Sequence, residues 1–284
     1  MAQTKQEILQ LLAGAKPRHR FGQNFMIDQN LVRIVAEAGE ISDKDTVIEI
    51  GPGTGTLTEE LLSRAGRVIA VEIDRDLAAM LRTRFPNDPK FELIEGDALK
   101  SKHALNDDLL RACHLSGKPS AHTKLVANLP YNIASPLVIE LLIAGVELLA
   151  FTVQKEVADR LRASPDSDAY GPLSVMAQML SRVEFLRTLP PQAFWPAPKI
   201  DSALVRMRRD DRLGPLSPQF GQFVHQLFSA RRKTLRKSLA QAGFDAKDAL
   251  TDLKIDEQLR PETLTPSQFL ELFSKLMPAT HTER

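Results

Sequence analysis

Residues 128 to 131 read Asn128-Leu129-Pro130-Tyr131, at the end of the apolar run Lys124-Leu125-Val126-Ala127. A strand ending this way presents an amide side chain, a backbone carbonyl fixed by the following Pro130, and the π-face of Tyr131 at one rim. Those three suit a flat ligand with an exocyclic amino group. The ring stacks on the aromatic while the Asn128 oxygen and the Leu129 carbonyl take the two N–H protons. A lone tetrapeptide of this kind also fits an ordinary strand-to-helix turn with a buried Tyr, so the weight lies with its company. Gly51-Pro52-Gly53-Thr54-Gly55 follows the run Thr46-Val47-Ile48-Glu49-Ile50 directly. Glycines there allow a sharp turn and let a ligand approach the backbone. A dinucleotide site has G-x-G-x-x-G, with the pyrophosphate at the helix N-terminus. Here residue 56 is Thr and the glycines run G-x-G-x-G, which suits a ligand without a pyrophosphate. Glu72 ends the next strand, where a carboxylate accepts from both hydroxyls of a ribose. Asp97 follows the strand after that, placed to accept from an adenine amino group. Each acid alone reads as a solvated strand end; three such features at the carboxyl ends of successive strands lie where open α/β sheets bind ligands.

The elements that must position these residues alternate as in a parallel α/β sheet from residue 46 to about 209. Strands are expected at 46–50, 67–71, 91–94, 124–127 and 148–153, with 183–186 and 202–207 as a closing pair. The first helix is expected to open on a capping box of Thr56 and Glu59 and to close near Gly66; the second covers 76–85 and stops at Pro86. The helix after the tetrapeptide is expected to use Ser135 as cap and Pro136 as its first residue, ending at Gly145. Segment 100–122 reads as an exposed, partly helical insertion. A linker at 210–215 leads into helices at 220–228, 233–241 and 247–253 and a last helix opened by Thr265-Pro266, with Gln268 completing a capping box.

The chain has 284 residues, enough for a large core and two domains. Its net charge of +1 carries no message about partners, but the basic residues cluster. Lys16, Arg18, His19 and Arg20 form one group; Arg231, Arg232, Lys233, Arg236 and Lys237 form another. The single cysteine, Cys113, excludes an intramolecular disulfide and points to a reducing, cytoplasmic setting. No signal-peptide core or bilayer-length apolar stretch is present, so no membrane partner is expected. His103, His114 and His122 share one segment, but their spacing matches no metal signature.

Six motifs carry a resemblance: Phe21-Gly22-Gln23-Asn24-Phe25, Glu49-Ile50-Gly51-Pro52-Gly53-Thr54-Gly55, Glu72-Ile73-Asp74, Glu95-Gly96-Asp97, Asn128-Leu129-Pro130-Tyr131, and Phe194-Trp195-Pro196-Ala197-Pro198-Lys199-Ile200-Asp201-Ser202. In this order, and over almost the whole chain, they resemble the ribosomal RNA adenine dimethyltransferases, the bacterial small-subunit members most. The resemblance implies an α/β fold: a Rossmann-like class I methyltransferase sheet with a small all-helical C-terminal domain. Residues 1–209, including a basic segment 1–30, would bind S-adenosylmethionine, and 216–277 would contact RNA and the ribosome. The cofactor residues implied are those matching Asn24, Met26, Gly51, Glu72, Asp97 and Asn128, with Gly53 in the same turn. Met26 stands where the family usually has Leu; the swap keeps volume and polarity, and a backbone contact survives it. The polar segment before Asn128 is longer than the family leads one to expect.

The implied reaction places two methyl groups on the exocyclic nitrogen of each of two adjacent adenosines in the 3′-terminal hairpin of small-subunit (16S) ribosomal RNA, within immature small subunits and with the enzyme as a monomer. That nitrogen is a poor nucleophile because its lone pair is delocalised into the ring. Accepting its N–H bonds at Asn128 and Leu129 draws it toward a tetrahedral geometry. Pro130 fixes the second acceptor, Tyr131 holds one ring face, and Phe194 is the candidate for the other. No general base is needed, because the proton turns acidic only after the methyl attaches. Positioning can then supply about 7–11 kcal/mol. Leu129, rather than a proline, is expected to leave room for the first methyl. The five cations of 231–237, on a helix that pairs 232 with 236 and 233 with 237, are expected to bind RNA phosphates, with Arg18 and Arg20 as a second contact.

Other readings stay open at this point. A large-subunit adenine methyltransferase conferring macrolide resistance shares the fold and the tetrapeptide type. A nicotinamide-dependent oxidoreductase could use the glycine turn and Glu72, though the third glycine of its fingerprint is missing. A non-catalytic RNA-binding assembly factor could keep the scaffold, yet the intact Asn128 and Tyr131 favour activity.

Overall fold

The computed structural model describes residues 5–12 and 22–277. Phe21 and the basic group Lys16, Arg18, His19 and Arg20 lie outside the described residues. In order, the elements are α1 (Lys5–Leu11), β1 (Phe25–Met26), α2 (Gln29–Ala38), β2 (Thr46–Ile50), α3 (Thr56–Leu62), β3 (Arg67–Glu72), α4 (Arg75–Arg84), β4 (Phe91–Glu95), β5 (Leu99–Ser101), β6 (Ala104–Leu105), α5 (Asp107–Ala112), β7 (Ser120–Asn128), α6 (Ala134–Ala144), β8 (Val146–Gln154), α7 (Lys155–Leu161), α8 (Pro172–Leu180), β9 (Ser181–Leu189), β10 (Phe194–Trp195), β11 (Ser202–Arg209), α9 (Ser217–Ser229), α10 (Leu235–Gln241), α11 (Lys247–Asp252) and α12 (Pro266–Leu276).

The chain forms two compact units, one running to Ala158 and resuming at Arg182–Arg209, the other made of Asp159–Ser181 and the chain from Asp210 on. The first unit is built on a seven-stranded sheet of order β4-β3-β2-β7-β8-β11-β9. Its strands β4, β3, β2, β7 and β8 run parallel, and β11 pairs antiparallel with β8. The order reverses between β2 and β7, because the chain first builds outward through β3 and β4 and then returns to the other side of β2. A crevice opens at such a switch point, outside the carboxyl ends of the strands. Val47, Val68, Val126, Leu148 and Ala150 of the strands pack against Leu31, Val35, Leu57 and Leu61 of α2 and α3 in one core. Strands covered in this way read as apolar runs rather than alternating ones.

Local sequence chemistry accounts for several ends. Gly145 closes α6 at φ 107, and Thr265 and Gln268 form the expected reciprocal cap of α12. Two caps differ from expectation. Gly55, left-handed at φ 81, is the N-cap of α3, so Thr56 is already helical and Glu59 pairs with Arg84 at 2.9 Å. α6 starts at Ala134 without a side-chain cap, because the Pro130 carbonyl accepts from Ile133 N at 3.2 Å and winds the chain directly into the helix. The insertion at 100–122 holds a short β5–β6 hairpin, α5 and the first residues of β7.

The second unit is helical. A single break near residue 209 was expected; Asp159–Ser181 instead packs with the C-terminal helices. Tyr170 is the reason: buried at 3 % exposure, its hydroxyl donates to the Leu264 carbonyl at 2.8 Å and its ring meets Phe228 edge-on. Asp166 N also donates to the Glu262 carbonyl at 2.8 Å.

Candidate functional site

The crevice of the first unit is bordered by residues 22–26, the glycine turn, Glu72 and Ile73, residues 96–98, and Asn128, Pro130, Asn132 and Ile133. Asn24, Met26, Gly51, Gly53, Glu72, Asp97 and Asn128 all border it. Each arrives from a different place in the chain, and the parallel sheet delivers their strand ends to one edge.

The glycine turn follows β2 with Gly51, Gly53 and Gly55 all at positive φ. A Cβ on Gly53 would come within 2.8 Å of Phe25 Cε1, and one on Gly51 within 3.1 Å of Pro130 Cγ. Only glycine lets the turn lie against those two side chains. Arg84 braces the turn by donating to the Thr54 carbonyl.

Glu72 is 3 % exposed; its two oxygens accept from Gly53 N at 3.2 Å and Asp74 N at 2.9 Å. Burial still pushes its carboxyl up to about 7, against the pull of those backbone donors. Glu49, at the floor, is pushed by burial to about 8, though the Thr58 hydroxyl donates to it at 2.6 Å. Burial thus favours the neutral form of both buried acids at the crevice. Asp97 also borders the crevice and is exposed, with one oxygen accepting from Leu99 N at 2.9 Å. Ile73, beside Glu72, is 42 % exposed and gives the crevice an apolar wall.

This donor set fits S-adenosylmethionine. A buried carboxylate stands at the crevice as an acceptor suited to ribose hydroxyls, the branched apolar side chain of Ile73 lies beside it, the glycine turn lines part of the wall, and among the described residues of the lining there is no Lys or Arg. Among the described residues no group of three or more His, Cys, Asp or Glu side chains could hold a metal ion. No helix among them is long and apolar enough to cross a membrane.

The tetrapeptide ends β7. Asn128 is half-buried; its Nδ2 donates to the Asn24 carbonyl at 2.6 Å, and its Oδ1 accepts from Thr152 Oγ1 at 2.5 Å. Asn24 is itself held in the segment 22–26, which Gln23 ties to Asp74 at 3.0 Å and β1 ties to β10. Leu129 N donates to the Thr152 carbonyl at 3.2 Å, and the Leu129 side chain is 1 % exposed, so this residue has only backbone to offer a ligand. Tyr131 is half-buried, with its hydroxyl 2.8 Å from Ser202 Oγ, and burial raises its phenol.

Leu129, Tyr131 and Phe194 do not border the crevice. Phe194 requires a correction. Expected to cover an adenine face, it is 2 % exposed and packs in the core with Leu189 and Ala193, because β10 turns its ring inward. Its neighbour Trp195 is the partly exposed ring, stacked on Phe25 at 6.4 Å between centroids.

The basic run of the second unit also differs. Arg231, Arg232, Lys233, Arg236 and Lys237 are all exposed, but 231–233 lie in a turn before α10. Arg231 N and Lys233 N bond back to the Phe228 and Ala230 carbonyls, so 232 and 236 share no helix face. Arg236 pairs with Glu257 at 3.2 Å, and Lys233 Nζ donates to Gln241 at 2.7 Å.

Sequence reasoning missed Glu49, Ile73 and Thr152. The first two stand beside a recognised turn and a recognised acid, which was the available signal. Thr152 had none, being one polar residue inside an apolar strand.

A family model described as "Ribosomal RNA adenine dimethylase" matches residues 14–277. A protein named ribosomal RNA small subunit methyltransferase A from Hahella chejuensis is 46% identical over 266 residues, 91% of this chain and 92% of its own. Another of that name from Magnetococcus marinus is 43% identical over 273 residues, 94% of each chain. Among solved structures, the 23S rRNA methyltransferase ErmE aligns with TM-score 0.63 and 28% identity over 89% of this chain and 99% of its own. A dimethyladenosine transferase from Plasmodium falciparum aligns with TM-score 0.68 and 24% identity over 88% and 97%, a likeness of fold. The chain belongs to the ribosomal RNA adenine dimethylase family.

Proposed function

We propose that this member of the ribosomal RNA adenine dimethylase family transfers methyl groups from S-adenosylmethionine to the N6 atoms of two adjacent adenosines in the 3′-terminal hairpin of small-subunit ribosomal RNA, two to each, during assembly of that subunit. One observation carries the reading: the glycine turn, Glu72 and Asp97 border the same crevice as Asn128. A residue type that handles an amine thus sits beside residue types that handle an adenosine. The identities favour the small subunit, since the small-subunit relatives are far more similar to this chain than the large-subunit neighbour is.

When bound, the cofactor supplies a methyl group on a positively charged sulfur. The chain does the rest. Glu72, ionised, accepts from the ribose hydroxyls, and Asp97 accepts from the cofactor's adenine amine. Asn128 Oδ1 and the Leu129 carbonyl accept the two N–H bonds of the target amine, and Pro130 fixes that carbonyl. The nitrogen is thereby drawn out of conjugation and its lone pair freed. The proton leaves to water after the C–N bond has formed, so no side chain needs to serve as base. Tyr131 offers its ring to the flipped base with its hydroxyl tied to Ser202. Arg231, Arg232 and Lys237 are exposed cations suited to RNA phosphates.

The test is incubation of the protein with isotopically labelled S-adenosylmethionine and small subunits lacking these methyl groups, followed by nucleoside mass analysis. Dimethyladenosine in the small-subunit RNA is the expected product. Label confined to large-subunit RNA, or no transfer to either, rejects the reading.

A further inference from the structure

We infer that Thr152 is a positioning residue for methyl transfer: its buried hydroxyl, together with the Asn24 carbonyl, holds the Asn128 amide so that one oxygen lone pair stays available to the target amine. The inference rests on the methyltransferase reading above.

Thr152 is the polar residue of the apolar stretch Leu148-Leu149-Ala150-Phe151-Thr152-Val153 in β8, and its exposure is 0 %. A hydroxyl costs free energy in such a place unless it is bonded. Parallel pairing sets it opposite Asn128, and its Oγ1 reaches Asn128 Oδ1 at 2.5 Å. The Asn24 carbonyl can only accept, so the amide nitrogen must face it; a flipped amide would set two acceptors 2.6 Å apart. With the nitrogen committed there, the oxygen turns to Thr152, whose hydroxyl takes one of its two lone pairs. One is left for a ligand in the crevice that Asn128 borders.

The same residue acts on the second acceptor. The Thr152 carbonyl accepts from Leu129 N, fixing the peptide plane that precedes the Leu129 carbonyl. Both groups assigned to the target amine therefore refer to one strand position. A β-branched side chain suits the task because its χ1 is restricted.

The test is steady-state kinetics of Thr152→Val and Thr152→Ser on undermethylated small subunits, with thermal melting of each. Valine keeps the shape and removes the hydroxyl; serine keeps the hydroxyl. Thr152→Val is expected to lower kcat about tenfold, since small displacements of reacting groups are costly. KM for both substrates and the melting temperature should stay close to the parent's, and Thr152→Ser should recover most of the rate. A valine variant with the parent's kcat overturns the inference, as do equal losses for valine and serine. Should the valine variant melt too early to assay, Thr152→Cys decides: its poorer donor must lower kcat, and the parent's rate overturns the claim. A parent enzyme that transfers no methyl group at all would instead remove the reading beneath it.

Discussion

The crevice of the first unit and the basic run of the second are built in opposite ways. At the crevice Glu72 and Asn128 are buried or half-buried and each is tied down, Glu72 by two backbone donors and Asn128 by Asn24 and Thr152; next to Asn128 in sequence, Tyr131 is tied to Ser202. In the basic run all five cations are exposed, three of them in a turn. Under the proposed function the difference follows from the two tasks. Directing a lone pair at an electrophile requires fixed atoms, whereas attracting a phosphate requires only charge within a Debye length, about 8 Å at physiological salt. Damage should therefore be steep and single-residue in the first region, graded and cumulative in the second.

The largest expected effect is that of Asn128→Ala, which removes one acceptor and the hydrogen bond that anchors residue 24. Turnover should fall on the order of a hundredfold, with the protein still folded by circular dichroism. A loss of only a few-fold would place the amine's recognition elsewhere.

Next comes pH. Burial lifts Glu72 to about 7, so below that value the carboxyl is protonated and can accept less well from ribose hydroxyls. Cofactor affinity by calorimetry should rise about tenfold from pH 6 to pH 8 and level off above, one proton being released on binding in the lower range. In Glu72→Gln the rise should vanish. Glu49 has a matching effect on stability. Held near 8 in the fold against an ordinary 4.5, it is protonated where the unfolded chain has already ionised. Stability is therefore lost as pH rises from the ordinary carboxylate range through about 8. Melting curves of Glu49→Gln should show a shallower decline over that window.

A smaller effect sharpens the role of Tyr131. Its hydroxyl is 2.8 Å from Ser202 Oγ, and the proposed mechanism gives it no part in proton transfer, so Tyr131→Phe should cost no more than about fivefold in kcat, the net worth of one hydrogen bond. Tyr131→Ala, which deletes the ring, should cost much more. If the two variants fall equally, the hydroxyl rather than the ring is what matters.

The smallest effect per residue belongs to the basic run. Charge reversal at Arg232 should reduce the slope of log affinity for RNA against log salt by roughly 0.7–0.9 for each phosphate no longer neutralised. Arg236→Glu should change it less, because Glu257 already engages that guanidinium. Equal slopes for the parent and for the double reversal would detach this run from RNA binding.

The turn Gly51 to Gly55, the acids after the strands and the tetrapeptide were legible in the sequence because each makes a demand on neighbouring residues alone. Three glycines at positive φ, a carboxylate at a strand end and an Asn before Leu-Pro-Tyr look the same in any surroundings. The sheet followed from the alternation of apolar runs and helical patterns, which fixes strand ends at one edge and brings the crevice residues together. What depended on partners far along the chain did not show. Phe194 and Trp195 are adjacent aromatics, and only the pairing of β10 with β1 decides which ring is buried. Asp159–Ser181 reads as an ordinary continuation until Tyr170 meets Leu264. Thr152 is one hydroxyl in an apolar strand, and its meaning appears only where parallel register sets it against Asn128. Local backbone needs are written in the order of residues; the choice of which side chain a buried hydrogen bond will use is made by packing, across distances that residue order does not encode.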